Sequence, residues 1–566
     1  MSGVPPFQWE NDLSAIIGLT VSEFRFAISF FLSVFISWCW RFVPTSQGRH
    51  IYAVVTGFCL IYYPFGNGCF HALVPSTLTY AIMRYMRPQA ASLAWLINFC
   101  YLIACHVSSA SGTAWKEGHM DFTGAQMVLT LKMISAAVCY HDGLMPAQEL
   151  TPYQEARKLV AMPSPLEWLS YIFASGNLLA GPFFELRDYR DYIQRQGAWA
   201  GALPSGLLPG VVRLLKALLC MAFHLRMTQG FNASTLESAW YYSQPLWSRI
   251  VVLYLVPTIY RYKYYFAWAV AESGLTVSGF NYNGKSDRGS YQWDRYVNTR
   301  IRHVEFQTSL AKLPEHWNVC TGLFLRQYVY ERLTVKGKPP TFFTLIVTQL
   351  VSGIWHGLFP GYVLFFISSA LMFQSSKVLY RYERNWPKQV QNFPLWVVAK
   401  WAYTTFCLNY CASAFMILTF KESLAVWRSI SFLGHFLMIA LILALLNALA
   451  SYYGILHMEI SVAKTKVMIV ADAASSQATF TCNGQTVEQV TSFTYLGLHF
   501  HQSGQVSHLI DPVRTKANGA WAQVQRRHSL LDFERENTSP RTRVCPRCHR
   551  QLTTQCASDR VVRLQV

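Results

Sequence analysis

Apolar runs separated by short polar joints dominate this chain until about Tyr453, where the pattern changes. Runs approaching the ~20 residues that cross roughly 30 Å of hydrocarbon extend from Phe24 to Trp38, Tyr52 to Phe65, Leu93 to His106, Ala125 to Tyr140, Leu166 to Leu179 and Leu207 to Phe223. They continue from Ile250 to Val270, Phe342 to Ile354, Tyr362 to Phe373, Trp396 to Ile417 and Ile430 to Tyr453. This pattern predicts an all-α multi-spanning membrane protein with roughly ten or eleven transmembrane helices. Several runs are short or broken by Gly and Pro, and irregular backbone survives at membrane depth only where protein or a water-filled cavity surrounds it. The helices are therefore expected to enclose an internal chamber. Between Ala271 and Pro340 the pattern lapses into a polar, aromatic and basic segment, SGFNYNGKSDRGSYQWDRYVNTRIRHVEFQ. Its Lys/Arg bias puts it on the cytoplasmic side. Beyond Tyr453, polar and β-branched residues alternate to Val566 without another spanning window. Two domains are expected: a membrane domain over residues 1–455 and a small, poorly ordered α+β tail over 456–566.

Composition agrees with the membrane reading. The 566 residues are 52% hydrophobic and 14% charged, against roughly 25% charged in soluble domains. The mean hydropathy of +0.20 includes the polar tail, so the remainder exceeds it. A net charge of +19 fits Lys and Arg gathered in cytoplasmic loops and at lipid headgroups. No nucleic-acid partner is expected from it. Cysteines such as Cys100, Cys105, Cys139 and Cys407 fall singly in apolar runs and imply no disulfide framework. The start, MSGVPPFQWEND, lacks the basic, apolar and small-residue order of a cleaved signal. Insertion is expected to use an uncleaved first helix.

The stretch GIWHGLFPG, Gly353 to Gly361, sets His356 into an apolar run. An ionisable side chain there is costly unless it faces a cavity or a partner. His356 is either a structural histidine bonded to a helix carbonyl or a functional one. Gly353 and Gly357, within one turn, favour the second by letting another group approach the ring. Upstream, Glu315 to Val319 supplies Asn318, followed by the basic and aromatic run LRQYVYERL. An amide can orient a substrate or donate to a developing oxyanion, and a neutral imidazole can take a proton.

The segment from Trp317 to Phe366, WNVCTGLFLRQYVYERLTVKGKPPTFFTLIVTQLVSGIWHGLFPGYVLFF, closely resembles the signature region of the membrane-bound O-acyltransferases, and among them the plant and algal lysophospholipid acyltransferases. The resemblance runs colinearly through HIYAVVTG at His50, CHVSSASGTAWKEGHMDFTGAQMVLTLKMIS at Cys105, AGPFFELRDY at Ala180, RYKYYFAWAVAESGLTVSGFNYNG at Arg261 and WDRYVNTRI at Trp293, and covers residues 10 to 455. It implies that His356 is the catalytic base and Asn318 its polar companion, which either holds the acceptor hydroxyl or stabilises the oxyanion. The implied reaction, in phospholipid remodelling, carries an acyl chain from acyl-CoA to the free hydroxyl of a lysophospholipid. Lysophosphatidylcholine is the first expected acceptor, within a broad head-group range. Acyl-CoA is a substrate, and neither a cofactor nor a metal is implied. Trp317 and Trp355, adjoining the two polar residues, are assigned to substrate binding. Arg326, Arg332, Lys336 and Lys338 would form a rim that takes the CoA phosphates through charge-assisted hydrogen bonds, although positive-inside anchoring explains each one singly. The resemblance also implies multi-pass residence in the endoplasmic reticulum membrane, while the ending DRVVRLQV carries no lysine-pair retrieval signal.

Other ionisable residues are read more plainly. His141-Asp142-Gly143 and Glu185 either line the acceptor path or cap helix ends. Lys132 lies inside an apolar run and needs a partner or a snorkelling route. His71 and His106 are read as structural. None of the sixteen histidines begins the H-x-x-x-x-D motif of the other large class of glycerolipid acyltransferases, and there is no G-x-S-x-G elbow. Hydropathy alone also allows a multi-pass transporter with a midplane polar site, though no internal repeat supports it.

The tail carries a resemblance of its own. MEISVAKTKVMIV from Met458, then FTCNGQTVEQVTSFTYLGLHFHQSG, resembles the part of a non-LTR retrotransposon reverse transcriptase that follows its catalytic aspartates. The chain has no Asp-Asp pair, and polymerase chemistry needs those carboxylates to hold two metal ions. The fragment is expected to be inert, and the join reads as an insertion or a faulty gene model. Cys545, Cys548, His549 and Cys556 are too closely and unevenly spaced for a usual zinc finger.

Overall fold

The computed structural model describes residues 5–109, 122–334, 341–384 and 386–455, and short strands between 466 and 508. Backbone proximity divides the chain into Met1–Leu446 and Asn447–Val566. The longer helices are α1 (Gln8–Ile17), α2 (Val21–Trp40), α3 (Ser46–Phe65), α4 (Leu73–Tyr85), α5 (Ala90–Ser109), α6 (Thr123–Asp142), α7 (Pro165–Ile172) and α8 (Leu186–Ile193). They continue as α9 (Leu207–Thr228), α10 (Leu246–Val277), α11 (Phe342–His356), α12 (Pro360–Glu383), α13 (Pro394–Ile417), α14 (Phe420–Ser429) and α15 (Leu433–Ile455).

Their starts follow from local chemistry. Thr20 opens α2 with a reciprocal box, in which the Glu23 N–H donates to Thr20 Oγ1 while the Thr20 N–H donates to the Glu23 carboxylate at 2.8 Å. Thr45 and Thr341 accept the N–H groups of Gly48 and Thr344 to begin α3 and α11. Pro360 and Pro394 stand at the first turns of α12 and α13, where a missing N–H costs nothing.

Among the described residues, five stretches are long and apolar enough to cross a membrane: Val21–Trp40, Ser46–Tyr85, Arg87–Ser108, Leu207–Glu237 and Pro360–Glu383. The bent pair α14 and α15 makes six if it counts as one span. That supports an integral membrane protein but does not reach the expected count of roughly ten or eleven. The shortfall has a physical reason. Helix α6 is apolar because it is a core helix, buried around nearly its whole circumference with Gln126, Thr130 and Lys132 inside. Helix α10 carries Arg261 and Glu272 into the protein interior, and α7 and α11 are short.

Helix α10 joins the two halves of the core. Its Ala269, Val270 and Leu275 pack with residues of α2, α3 and α6, while Val252, Val256 and Tyr265 pack with Tyr410, Ala414 and Trp427. Helix α9 lies along α10, α5 along α6, and α12 packs against both α11 and α13. The approach of α12 to α13 depends on Gly361, where a Cβ would fall 2.2 Å from the Ala414 carbonyl oxygen. The Gly361 N–H donates to the Leu418 carbonyl at 2.7 Å.

The second unit contains β1 (Lys466–Val467), β2 (Phe480–Cys482), β3 (Gln485–Gln489), β4 (Ser492–Tyr495), β5 (Leu498–His501) and β6 (Val506–His508). They form two sheets ordered β1-β3-β2 and β4-β5-β6, antiparallel except for the β1–β3 pairing. Cys545, Cys548, His549 and Cys556 lie outside the described residues.

Candidate functional site

Helix α11 has 15 residues, a rise of roughly 22 Å, short of the roughly 30 Å hydrocarbon core. It stops at His356. Gly357, at φ +136°, turns the chain away in a conformation that L side chains rarely adopt. A Cβ at Gly357 would press on the Tyr362 ring at 3.2 Å and stand in ordinary contact with His106 Nδ1 at 3.6 Å, so the glycine eases the approach of Tyr362 to the end of the helix. Four rings surround the imidazole, with centroid distances of 4.7 Å for Trp355, 5.1 Å for Phe415, 5.4 Å for Phe366 and 5.9 Å for Tyr362. His356 is half-buried, and among the described residues nothing hydrogen-bonds its ring.

Trp355 is held from two sides. Its indole N–H donates to the Met127 carbonyl of α6 at 2.9 Å, and its carbonyl meets His106 Nε2 of α5 at 3.1 Å. A carbonyl can only accept, so this network assigns the His106 proton to Nε2. His106 therefore caps the last turn of α11, where carbonyls have no donor within the helix. Capping is a structural role, but one that acts on the turn carrying His356. The signal present was a buried ionisable residue ending an apolar run.

Asn318 occupies a left-handed conformation, φ 47° and ψ 48°, ahead of the short helix Val319–Phe324 and the π-helical turn Leu325–Tyr330. Such π turns recur at functional sites. Trp317 packs on three rings of α10: Trp268 at 4.9 Å, Tyr265 at 5.6 Å and Tyr264 at 5.9 Å. Among the described residues no hydrogen bond joins Asn318 to His356.

Of the expected basic rim, Arg326 and Arg332 are among the described residues. Arg326 has a side chain 70% exposed and pairs with Glu331 at 2.9 Å. Arg332 makes two bonds, 2.9 and 2.5 Å, to the Asp142 carboxylate at the end of α6. Lys336 and Lys338 lie outside the described residues. Glu185, just before α8, accepts from Tyr153 at 2.8 Å and from Tyr328 of the π turn, and pairs with Arg157 at 3.0 Å. Arg157 also pairs with Asp188. Burial opposes the charge on Arg157, but Asp188 and Glu185 outweigh it and hold the guanidinium above its ordinary range. Tyr153, Arg157, Glu185 and Asp188 line a cavity of about 220 Å³ that reaches Val319 and Cys320, next to Asn318. Lys132 has partners rather than a route to the headgroups. Its ammonium donates to the Tyr171 carbonyl, to Asn177 Oδ1 at 3.3 Å and to the Ile172 carbonyl at 3.4 Å.

The family model described as membrane-bound O-acyltransferase matches residues 107–418, which contain both Asn318 and His356. The chain is 38% identical over 441 residues to lysophospholipid acyltransferase 2 of Arabidopsis thaliana, covering 76% of this chain and 95% of that protein. Lysophospholipid acyltransferase 1 of Arabidopsis thaliana is 36% identical over 441 residues, with 76% and 96% covered. Membrane-bound glycerophospholipid O-acyltransferase 2 of Homo sapiens is 29% identical over 463 residues, with 76% and 86% covered. A short helix ending in a ring-enclosed histidine, carried by an apolar helical unit and matched over these lengths, leads to one conclusion: the chain belongs to the membrane-bound O-acyltransferase family.

Proposed function

We propose that this O-acyltransferase moves an acyl chain from acyl-CoA to the free hydroxyl of a lysophospholipid, with lysophosphatidylcholine the leading acceptor, in phospholipid remodelling. The printed names of its relatives support the lysophospholipid acceptor. The observation that carries the site reading is His356 at the end of α11, half-buried among four rings with no hydrogen bond to the described protein. A neutral imidazole so placed keeps a lone pair for a substrate proton.

In this mechanism the acceptor oxygen attacks the thioester carbonyl carbon while its proton passes to His356. The carbonyl oxygen becomes the oxyanion of a tetrahedral intermediate, near Asn318. Collapse expels the CoA sulfur, which takes the proton back from the imidazolium, and the products are the diacyl phospholipid and free CoA. Base assistance of this kind is worth about 10²- to 10⁴-fold. The surrounding rings exclude water, which protects the thioester from hydrolysis. Trp317 and Trp355 border the path, and Arg326, with Lys336 and Lys338, takes the CoA phosphates. Arg332, bound to Asp142, instead ties the end of its helix to α6. The endoplasmic reticulum is the proposed membrane. The tail from residue 456 is proposed to be a passenger derived from a reverse transcriptase.

A panel of lysophospholipids tests this, assayed with acyl-CoA on purified full-length protein and on protein truncated after Ile455. We expect diacyl product with lysophosphatidylcholine and with several other head groups, at equal rates for both proteins. No product with any acceptor contradicts the substrate reading, and activity lost only on truncation contradicts the passenger reading.

A further inference from the structure

Asn298, in the irregular segment between α10 and the Asn318 turn, is 1% exposed and uses every polar group it has. Its N–H donates to Glu272 Oε1 at 2.7 Å, and the same oxygen receives the Thr299 N–H at 3.3 Å. Its carbonyl accepts the Val319 N–H at 3.0 Å. Its side-chain oxygen accepts the Cys320 N–H at 3.0 Å, and its side-chain nitrogen faces Asn318 Oδ1 at 3.1 Å.

These contacts fix which way both amides point. A backbone N–H only donates, so the arm of Asn298 that meets Cys320 is the oxygen. The other arm, an NH₂, also only donates, so the Asn318 atom facing it is the oxygen. That leaves the Asn318 NH₂ group, and among the described residues no acceptor meets it. Asn318 is half-buried, so those two hydrogens are open to a ligand.

We propose that Asn298 is a positioning residue that locks the Asn318 carboxamide with its NH₂ toward the reacting centre, so that Asn318 serves as a donor to the thioester carbonyl oxygen and not as an acceptor for the lysophospholipid hydroxyl. The inference rests on the reading of Asn318 as part of that centre. Because the amide is held before charge develops, it needs no reorganisation when the carbonyl oxygen becomes the oxyanion. The left-handed backbone at Asn318 and the Val319 and Cys320 bonds to Asn298 keep the turn from relaxing otherwise.

The test is a double-mutant cycle on full-length protein, measuring kcat and both KM values with lysophosphatidylcholine and acyl-CoA for Asn318→Ala, Asn298→Asp and the pair. In Asn298→Asp both carboxylate oxygens accept, so the Asn318 amide must turn and present its oxygen to the centre. We expect each single change to lower kcat about 100-fold, with KM little altered, and the double variant to be no slower than the slower single variant. If Asn298→Asp does not accumulate as folded protein, Asn298→Ser takes its place in the cycle. Effects that multiply in the double variant mean that Asn298 acts independently of Asn318 and overturn the proposal. Wild-type kcat in Asn298→Asp overturns it too, whereas wild-type kcat in Asn318→Ala removes Asn318 from the centre and takes the underlying reading down with it.

Discussion

The Trp355 carbonyl is among the last in α11, and His106 is the group that satisfies it, at 3.1 Å. With the indole of the same residue bound to Met127, the turn carrying His356 is clamped between α5 and α6. We predict that His106→Ala lowers kcat by as much as about 100-fold through misplacement of His356, with little change in KM. His106→Gln, which keeps an N–H at similar reach, should restore most of the loss. Steady-state kinetics check this, and His106→Ala at the wild-type kcat would remove the positioning role. His356 stood out in the sequence as the one ionisable group in its apolar run, whereas Asn318, just after Glu315 and His316, was singled out by the family resemblance. Asn298 was not, although it lies within WDRYVNTRI, because its partner is 20 positions away across irregular backbone, where no periodicity relates them.

Helix α12 follows the His356 turn directly, and its seat on α13 passes through Gly361. A methyl group 2.2 Å from the Ala414 oxygen must push the two helices apart. We predict that Gly361→Ala destabilises the protein by about 1–3 kcal/mol, read as a lower thermal unfolding midpoint in detergent, with activity falling in parallel. An unchanged midpoint would mean that the contact is not needed. Helix positions were largely visible as apolar runs, since α2, α3, α5, α9, α12 and α13 all overlap a predicted window. What hydropathy could not separate was lipid from protein as the apolar surroundings. Lys132 in α6 was the clue, because its ammonium is met by carbonyls of the α7 end and not by headgroups.

Taken whole, the chain is an integral membrane O-acyltransferase whose family was readable from colinear motifs, among them the stretches that carry Asn318 and the Gly353 to Gly361 run around His356. The packing of the core was not readable, since it depends on α10 joining two sets of helices far apart in sequence. The account as a whole depends on His356 taking the acceptor proton. The most direct test is the rate of acyl transfer from acyl-CoA to lysophosphatidylcholine by purified His356→Ala, at saturating substrates and matched folded protein. A fall of about 10²- to 10⁴-fold is predicted, and a rate equal to the wild type would contradict the account.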